Sequence, residues 1–191
     1  MKTYQPMLGG LLLLRSVGVS AETVFQEDFT SGSLGQMTTY SVTSTANWSY
    51  GSYGENEYAQ MNGYGADVAS DDWLITPALP MDAVSDSTVT FSTISEYSGG
   101  DLEVLISSDY LENSDPSSAN WTTLASASAD SDQFSAGGYA LATSSAIDVS
   151  AFEGQPAYIA FRYTSTGTAG GEGAIWQVVD VSLDGTVTGI L

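Results

Sequence analysis

The sequence predicts an all-β protein built as a sandwich, and three observations carry that reading. Apolar and β-branched residues come in short runs separated by Gly, Ser, Asp and Asn, which is the spacing of strands and turns. No stretch shows a 3.6-residue apolar stripe bounded by capping residues. Acids stand directly beside strand-like runs, as in Asp71-Asp72-Trp73-Leu74-Ile75-Thr76-Pro77, where two carboxylates precede a short apolar strand that a proline closes.

The N-terminus is set apart from the fold. Residues 1–21 read as a secretory signal peptide, with Lys2 near the start, an apolar stretch Met7 to Leu14, and Val19-Ser20-Ala21 as a small-residue cleavage site. Arg15, between the apolar stretch and that site, departs from the pattern. The apolar stretch is far shorter than the ~20 residues that span a bilayer. Residues 22–191 are expected to form a single domain, soluble outside the cytoplasm.

Strands are expected over Thr23 to Phe29, Tyr40 to Thr43, Tyr58 to Met61, Trp73 to Thr76 and Thr88 to Ile94. They continue over Leu102 to Ser107, Trp121 to Leu124, Ser145 to Val149, Ala157 to Thr164 and Ile175 to Leu183. Alternation assigns faces within two of them. Leu102, Val104 and Ile106 share one face, and Glu103, Leu105 and Ser107 the other. Ile159, Phe161 and Tyr163 likewise oppose Tyr158, Ala160 and Arg162, so Arg162 sits among aromatics where a carboxylate or a ring can receive it. Tyr110 to Asn120, Ser126 to Gly138 and the glycine-rich Thr164 to Gly173 read as loops.

Charge narrows the function. The chain carries 23 acids against three bases, a net charge of -20. Beyond the signal only Arg162 remains against those 23 acids, giving -22. Such a surface repels nucleic acid and anionic lipid, and it favours divalent cations or screening by salt. With 42% hydrophobic and 11% aromatic residues the chain still has material for a core. Cysteine and histidine are absent, which removes disulfide staples, thiolate and imidazole chemistry and the usual zinc ligands. Carboxylates, hydroxyls and amides remain, and these are hard oxygen ligands.

Two places in the sequence invite a cation. Asp180 is flanked by apolar residues, and a buried carboxylate is costly unless paired or coordinated. It either binds metal, faces solvent from an edge strand or pairs with Arg162. Asp71 and Asp72, with Asp67 and Glu55-Asn56-Glu57, form a weaker second candidate, against a plain turn before a strand. No Asp-x-Asp-x-Asp-Gly calcium loop occurs.

Several blocks occur in order: Phe25-Gln26-Glu27-Asp28-Phe29, Asp71-Asp72-Trp73-Leu74-Ile75-Thr76-Pro77-Ala78-Leu79 and Leu102-Glu103-Val104-Leu105-Ile106-Ser107-Ser108-Asp109. Trp121-Thr122-Thr123-Leu124, Tyr158-Ile159-Ala160-Phe161-Arg162-Tyr163 and Trp176-Gln177-Val178-Val179-Asp180-Val181 follow. Together they resemble the choice-of-anchor J and cleaved-adhesin families of bacterial surface domains, related to MAM-type jelly rolls. The resemblance implies a jelly-roll β-sandwich of two antiparallel sheets, secreted or on the cell surface, that binds structural calcium and serves adhesion or recognition. Its calcium lies where the first and last strands meet, which points to Glu27, Asp28 and Asp180. Where these families carry two adjacent Asp or Asn residues, this chain has Val179-Asp180, so the site would be less acidic.

The expected activity is therefore non-catalytic binding of an extracellular glycan or surface protein. Trp48, Tyr50 and Tyr53 lie in a Gly-, Ser- and Asn-rich stretch where rings can stack on a sugar, with Tyr64 beyond them and Tyr58 expected in the core. A self-associating subunit of a surface layer or filament is the alternative, joined through strand edges. A jelly-roll glycoside hydrolase is a third reading, because that chemistry needs only two carboxylates, and Asp101 with Glu103 or Glu55 with Glu57 are the close pairs.

Overall fold

The structure, a computed structural model, describes residues 21–188, so the expected signal peptide, save Ala21, lies outside the described residues. Among them the chain forms β1 (Glu22–Glu27), β2 (Thr38–Ser41), β3 (Ser49–Tyr53), β4 (Asn56–Asn62), β5 (Asp71–Ile75) and β6 (Val84–Glu96). These are followed by β7 (Gly100–Ser107), β8 (Thr122–Ser126), β9 (Ala142–Thr143), β10 (Ile147–Asp148), β11 (Tyr158–Ser165) and β12 (Ile175–Val187). The only helical pieces described are three short 3-10 turns. One sheet runs β10-β6-β12-β4-β3, with β1 added on β12 and β9 on β6; the other runs β2-β5-β11-β7-β8. Every named pairing is antiparallel. The protein is the all-β jelly-roll sandwich that the sequence predicts.

Alternation builds the core between the sheets. Ala59 and Met61 of β4, Phe91 of β6 and Val178, Val181 and Leu183 of β12 meet Leu74 of β5, Val104 and Ile106 of β7 and Phe161 of β11. Each fully buried side chain of this size contributes about 1.5–3 kcal/mol. The expected strand near Thr88 begins earlier, at Val84, and the last strand runs on to Val187. Those extensions exist because β6 and β12 pair with each other over nearly their whole lengths. The stretch Ser49–Tyr53 lacks apolar character yet becomes β3, because β4 supplies a hairpin partner.

The two outer faces differ. On the second sheet, Trp73, Ile75, Leu105, Tyr110 and Ala160 form a second apolar cluster, with Tyr40, Trp121 and Tyr158 packed against it. The connection after β7 roofs this cluster, stacking Trp121 5.2 Å from Trp73 and Tyr110 edge-on to Tyr158 at 5.0 Å. Asn120 Nδ2 donates to Asp109 Oδ2 at 2.6 Å and ties the two ends of the roof together. The Asn120 and Ser107 side chains hold the Asp109 carboxyl below its ordinary range. The outer face of the first sheet has no such roof.

Where β1 meets β12, Glu27 staples the connection to β2. Its Oε1 accepts from the Phe29 N–H and its Oε2 from the Gln36 N–H, both at 2.9 Å, and the residue is buried. Gly35 makes this possible: its φ is +59°, and a Cβ there would fall inside the Glu27 carboxylate. Gly32 has a φ of +74° with open space around it. Gly32→Ala is therefore expected to cost only the left-handed penalty of about 1–2 kcal/mol. Gly35→Ala is expected to cost clearly more in urea unfolding; equal losses would show that the staple is unimportant.

Candidate functional site

The unroofed face of the first sheet carries a cleft of about 560 Å³. Strand alternation decides its lining. With Ala59 and Met61 of β4 turned inward, Tyr58 and Gln60 face out; with Trp176 and Val178 of β12 inward, Gln177 faces out beside them. Ile94 of β6, Ser52 and Tyr53 of β3, and Asn56 complete one wall and the floor, and Tyr139 closes the cleft from the loop after β8. Gln177 Nε2 donates to Gln60 Oε1 at 2.8 Å, which orients both amides. Each primary amide still has donor or acceptor capacity for a ligand hydroxyl.

Tyr139 and Tyr53 give the cleft its exposed rings, at 52% and 84% exposure. The Tyr139 backbone N–H donates to Ser95 O at 3.0 Å, and this bond holds the loop over the sheet. Desolvation and the neighbouring Tyr97 push the Tyr139 phenol above its ordinary value, so it stays a neutral donor. A second cleft of about 440 Å³ lies alongside, lined by Asn62, Tyr64, Tyr97, Gly171 and Ile175. Ile175 pairs with Asn62 on one side and Glu96 on the other, so this cleft continues the same face. Together the clefts form a surface of phenols, amides and hydroxyls.

The sequence-predicted rings divide. Tyr53 lies in the first cleft and Tyr64 in the second. Trp48 does not stand at a loop tip: it is 3% exposed in the main core, and its indole Nε1 donates to Asp72 O at 3.1 Å. Tyr50 packs partly against that core and donates its hydroxyl to Glu57 Oε2 at 3.0 Å. Tyr58 is buried as expected, at 8% exposure, but on the outer side of β4, where it lines the cleft because its neighbours Ala59 and Met61 take the inward positions. Tyr97, Tyr139 and the glutamine pair went unseen in the sequence. The period-two alternation of β4 would have pointed outward for Gln60; nothing local marks Tyr139.

The expected calcium ligands are not brought together. Glu27 lies opposite Val181 in the β1–β12 register and shares its inward face, whereas Asp180 is on the other face, where its Oδ2 accepts from Gln26 Nε2 at 2.7 Å. Asp28 is exposed and turns its Oδ1 to the Thr30 N–H and hydroxyl. Both Glu27 oxygens already accept backbone N–H groups. Among the described residues no group of three His, Cys, Asp or Glu side chains is placed to hold a metal. This donor set does not fit the calcium site that the resemblance implies.

Of the weaker pair, Asp71 meets Arg162 through two hydrogen bonds, from Nε at 2.9 Å and Nη2 at 2.7 Å, and takes the Trp73 indole N–H as well. Arg162 also stacks over Trp73 at 5.1 Å and reaches Glu103 Oε2 at 3.5 Å, which is the structural role its strand position suggests. Asp72 is fully buried, and its surroundings are hydroxyls. Of the carboxylate pairs suited to hydrolysis, Asp101 accepts from Ser126 and Ser128, Glu103 faces Arg162 and Glu57 receives Tyr50, while Glu55 is exposed.

Fold and open face define a jelly-roll module with a grooved sheet. A model of the family described as "Domain of unknown function (DUF5017)" matches residues 80–189, and the chain belongs to that family. No curated protein matches the sequence. Among solved structures it is similar to the K3 cleaved adhesin domain of Lys-gingipain from Porphyromonas gingivalis W83, at 16% identity and a TM-score of 0.58, covering 84% of this chain and 99% of that one. The K1 cleaved adhesin domain of the same protein is similar at 18% identity and 0.54, covering 89% and 99%. TmCBM61, solved with β-1,4-galactotriose, is similar at 15% identity and 0.53, covering 85% and 97%. These likenesses establish the fold.

The Asp180 carboxyl is raised by burial first and then by its neighbours Asp28 and Asp184. A group raised in the folded state favours folding below its unfolded value, and that contribution is lost as pH rises through the folded value. Asp180→Asn is therefore expected to leave the urea midpoint at pH 7 unchanged or higher and to flatten its fall from acidic to neutral pH. A large loss of stability at pH 7 would instead mark Asp180 as a cation ligand.

Proposed function

We propose that the protein is a non-catalytic, extracellular carbohydrate-binding module that takes a neutral glycan along the open face of the first sheet. The observation that carries this reading is the pair of adjoining clefts lined by Tyr53, Tyr58, Tyr139, Tyr64 and Tyr97, with Gln60, Gln177 and Asn62 between them. Tyrosine offers an apolar ring for the face of a sugar and a hydroxyl for its edge. Amides in fixed orientation read ring hydroxyls. A net charge of -20 for the whole chain opposes sulfated or uronic ligands and leaves uncharged sugars as the compatible class. A solved module of the same fold carries a galactotriose, which supports this reading. The signal-like pattern read at residues 1–21 supports export, and no described helix is long and apolar enough to cross a membrane.

Screening against arrayed neutral oligosaccharides, followed by calorimetry, tests the proposal. Tyr139→Ala and Tyr53→Ala should each weaken binding by about 0.5–1.5 kcal/mol, roughly two- to tenfold in Kd. Leu111→Ala, exposed elsewhere on the surface, should leave it unchanged. Binding that survives both tyrosine changes overturns the placement of the site. Binding to no neutral glycan, with capture of a surface protein instead, turns the reading to protein adhesion.

A further inference from the structure

We propose that Asp72 and the turn after β2 form a binding site for a hard cation of calcium's size, separate from the clefts of the open face. Asp72 pairs with Ser41 of β2 on one side and Tyr163 of β11 on the other, and shares the inward face of β5 with Leu74. Its residue exposure is 0%. Six oxygens gather there: the two of the Asp72 carboxylate, the Ser41 and Ser44 hydroxyls, and the Ser44 and Ala46 carbonyls. Ser41 Oγ touches Asp72 Oδ1 and lies 2.7 Å from Ser44 O and 3.1 Å from Ala46 O. Ser44 Oγ lies 3.1 Å from Asp72 Oδ2 and 3.4 Å from the buried Ser70 hydroxyl.

Proton counting shows a deficit. Each serine hydroxyl has one proton. Ser41 faces three acceptors with that single proton, and Ser44 stands between Asp72 Oδ2 and Ala46 O. Ser70 adds a third hydroxyl donor to the carboxylate, so four acceptor oxygens stand against three hydroxyl protons around a charge removed from water, which is unfavourable without a positive charge. The chain has none to spare. Arg162 is the one base among the described residues, and it is paired to Asp71 and Glu103 on the outward side of the same sheet. Neutralising charge must therefore come from solution, as a cation or as a proton.

Oxygen ligands from one carboxylate, backbone carbonyls and hydroxyls match what calcium accepts, which is about 6–8 oxygens of mixed origin. Sodium shares this preference for oxygen. The indole of Trp48, donating to Asp72 O, ties the site to the core.

The test uses the mature chain, stripped with chelator, and follows thermal unfolding while calcium, sodium, magnesium or choline chloride is added at constant ionic strength. Constant ionic strength removes the general screening that so acidic a protein would show. Calcium or sodium should raise Tm beyond choline, and Asp72→Asn should abolish that specific rise while Asp180→Asn keeps it. Ser44→Ala, which leaves the carboxylate in place, should demand a higher ion concentration for the half-maximal rise, and it decides the matter if Asp72→Asn fails to fold. A rise retained in Asp72→Asn or unaltered in Ser44→Ala overturns the proposal. So does an ion-independent Tm whose rise at falling pH disappears in Asp72→Asn and persists in Asp180→Asn, which would mean that Asp72 holds a proton. Glycan binding is measured separately, so failure here leaves the sugar site untouched.

Discussion

Twenty-three carboxylates share a single guanidinium among the described residues, and this shortage shapes how the sandwich is held together. Arg162 is spent on Asp71 and Glu103, where it also stacks on Trp73 and locks β11 to β5 and β7 on one face. The remaining acids depend on neutral donors. Glu27 takes two backbone N–H groups, Asp101 takes two serines and a backbone amide, and Asp109 takes a serine and an asparagine. Hydrogen bonds to a charged acceptor are worth about 1.5–3 kcal/mol each. The richness in Ser, Thr and Asn thus reads as the supply of donors that lysine and arginine provide in most proteins. Asp72 is buried among the Ser41, Ser44 and Ser70 hydroxyls, with the one described guanidinium committed on the other side of the sheet.

The same sandwich treats its two outer faces in opposite ways. The second sheet hides Trp73, Tyr110, Tyr158 and Trp121 under the connection before β8. Its aromatic residues pack against one another beneath that connection. The first sheet sets Tyr58, Gln60 and Gln177 at the base of a cleft and raises the exposed Tyr53 and Tyr139 at its border. Nothing in the composition separates these two sets of rings. What separates them is where each connection lies: the one after β7 packs on the rings of the second sheet, whereas the one after β8 reaches the cleft of the first sheet at Tyr139.

Much of the fold was legible in the residues. Alternation in Leu102–Ser107 and Tyr158–Tyr163 assigned inward and outward faces as the structure has them, because both faces are buried or half-buried and the period is unbroken. β3 was not legible. Ser49–Tyr53 has no apolar face of its own and is a strand only because β4 lies beside it. The candidate site was partly legible, through Tyr53 and Tyr64, and partly misread. Trp48 sits in a Gly- and Ser-rich stretch that reads as surface, yet the turn after β2 carries it into the core against Asp72. Glu27 and Asp180 are near in register, but adjacent positions on paired strands point to opposite faces, so closeness along the ladder did not make a shared site.

By itself the sequence determined the all-β sandwich class and the acidic, cysteine-free chemistry, because periodicity and composition are properties of local runs; the jelly-roll architecture was implied by the resemblance of its ordered blocks to known surface domains. Tertiary structure alone decided which rings are exposed, which carboxylates are partnered and where oxygens converge. Those outcomes depend on strand register, on the bulge at Val178–Asp180 and on where the loops after β7 and β8 come to lie against the two sheets. They are contacts between residues far apart in the chain, and no local pattern encodes them.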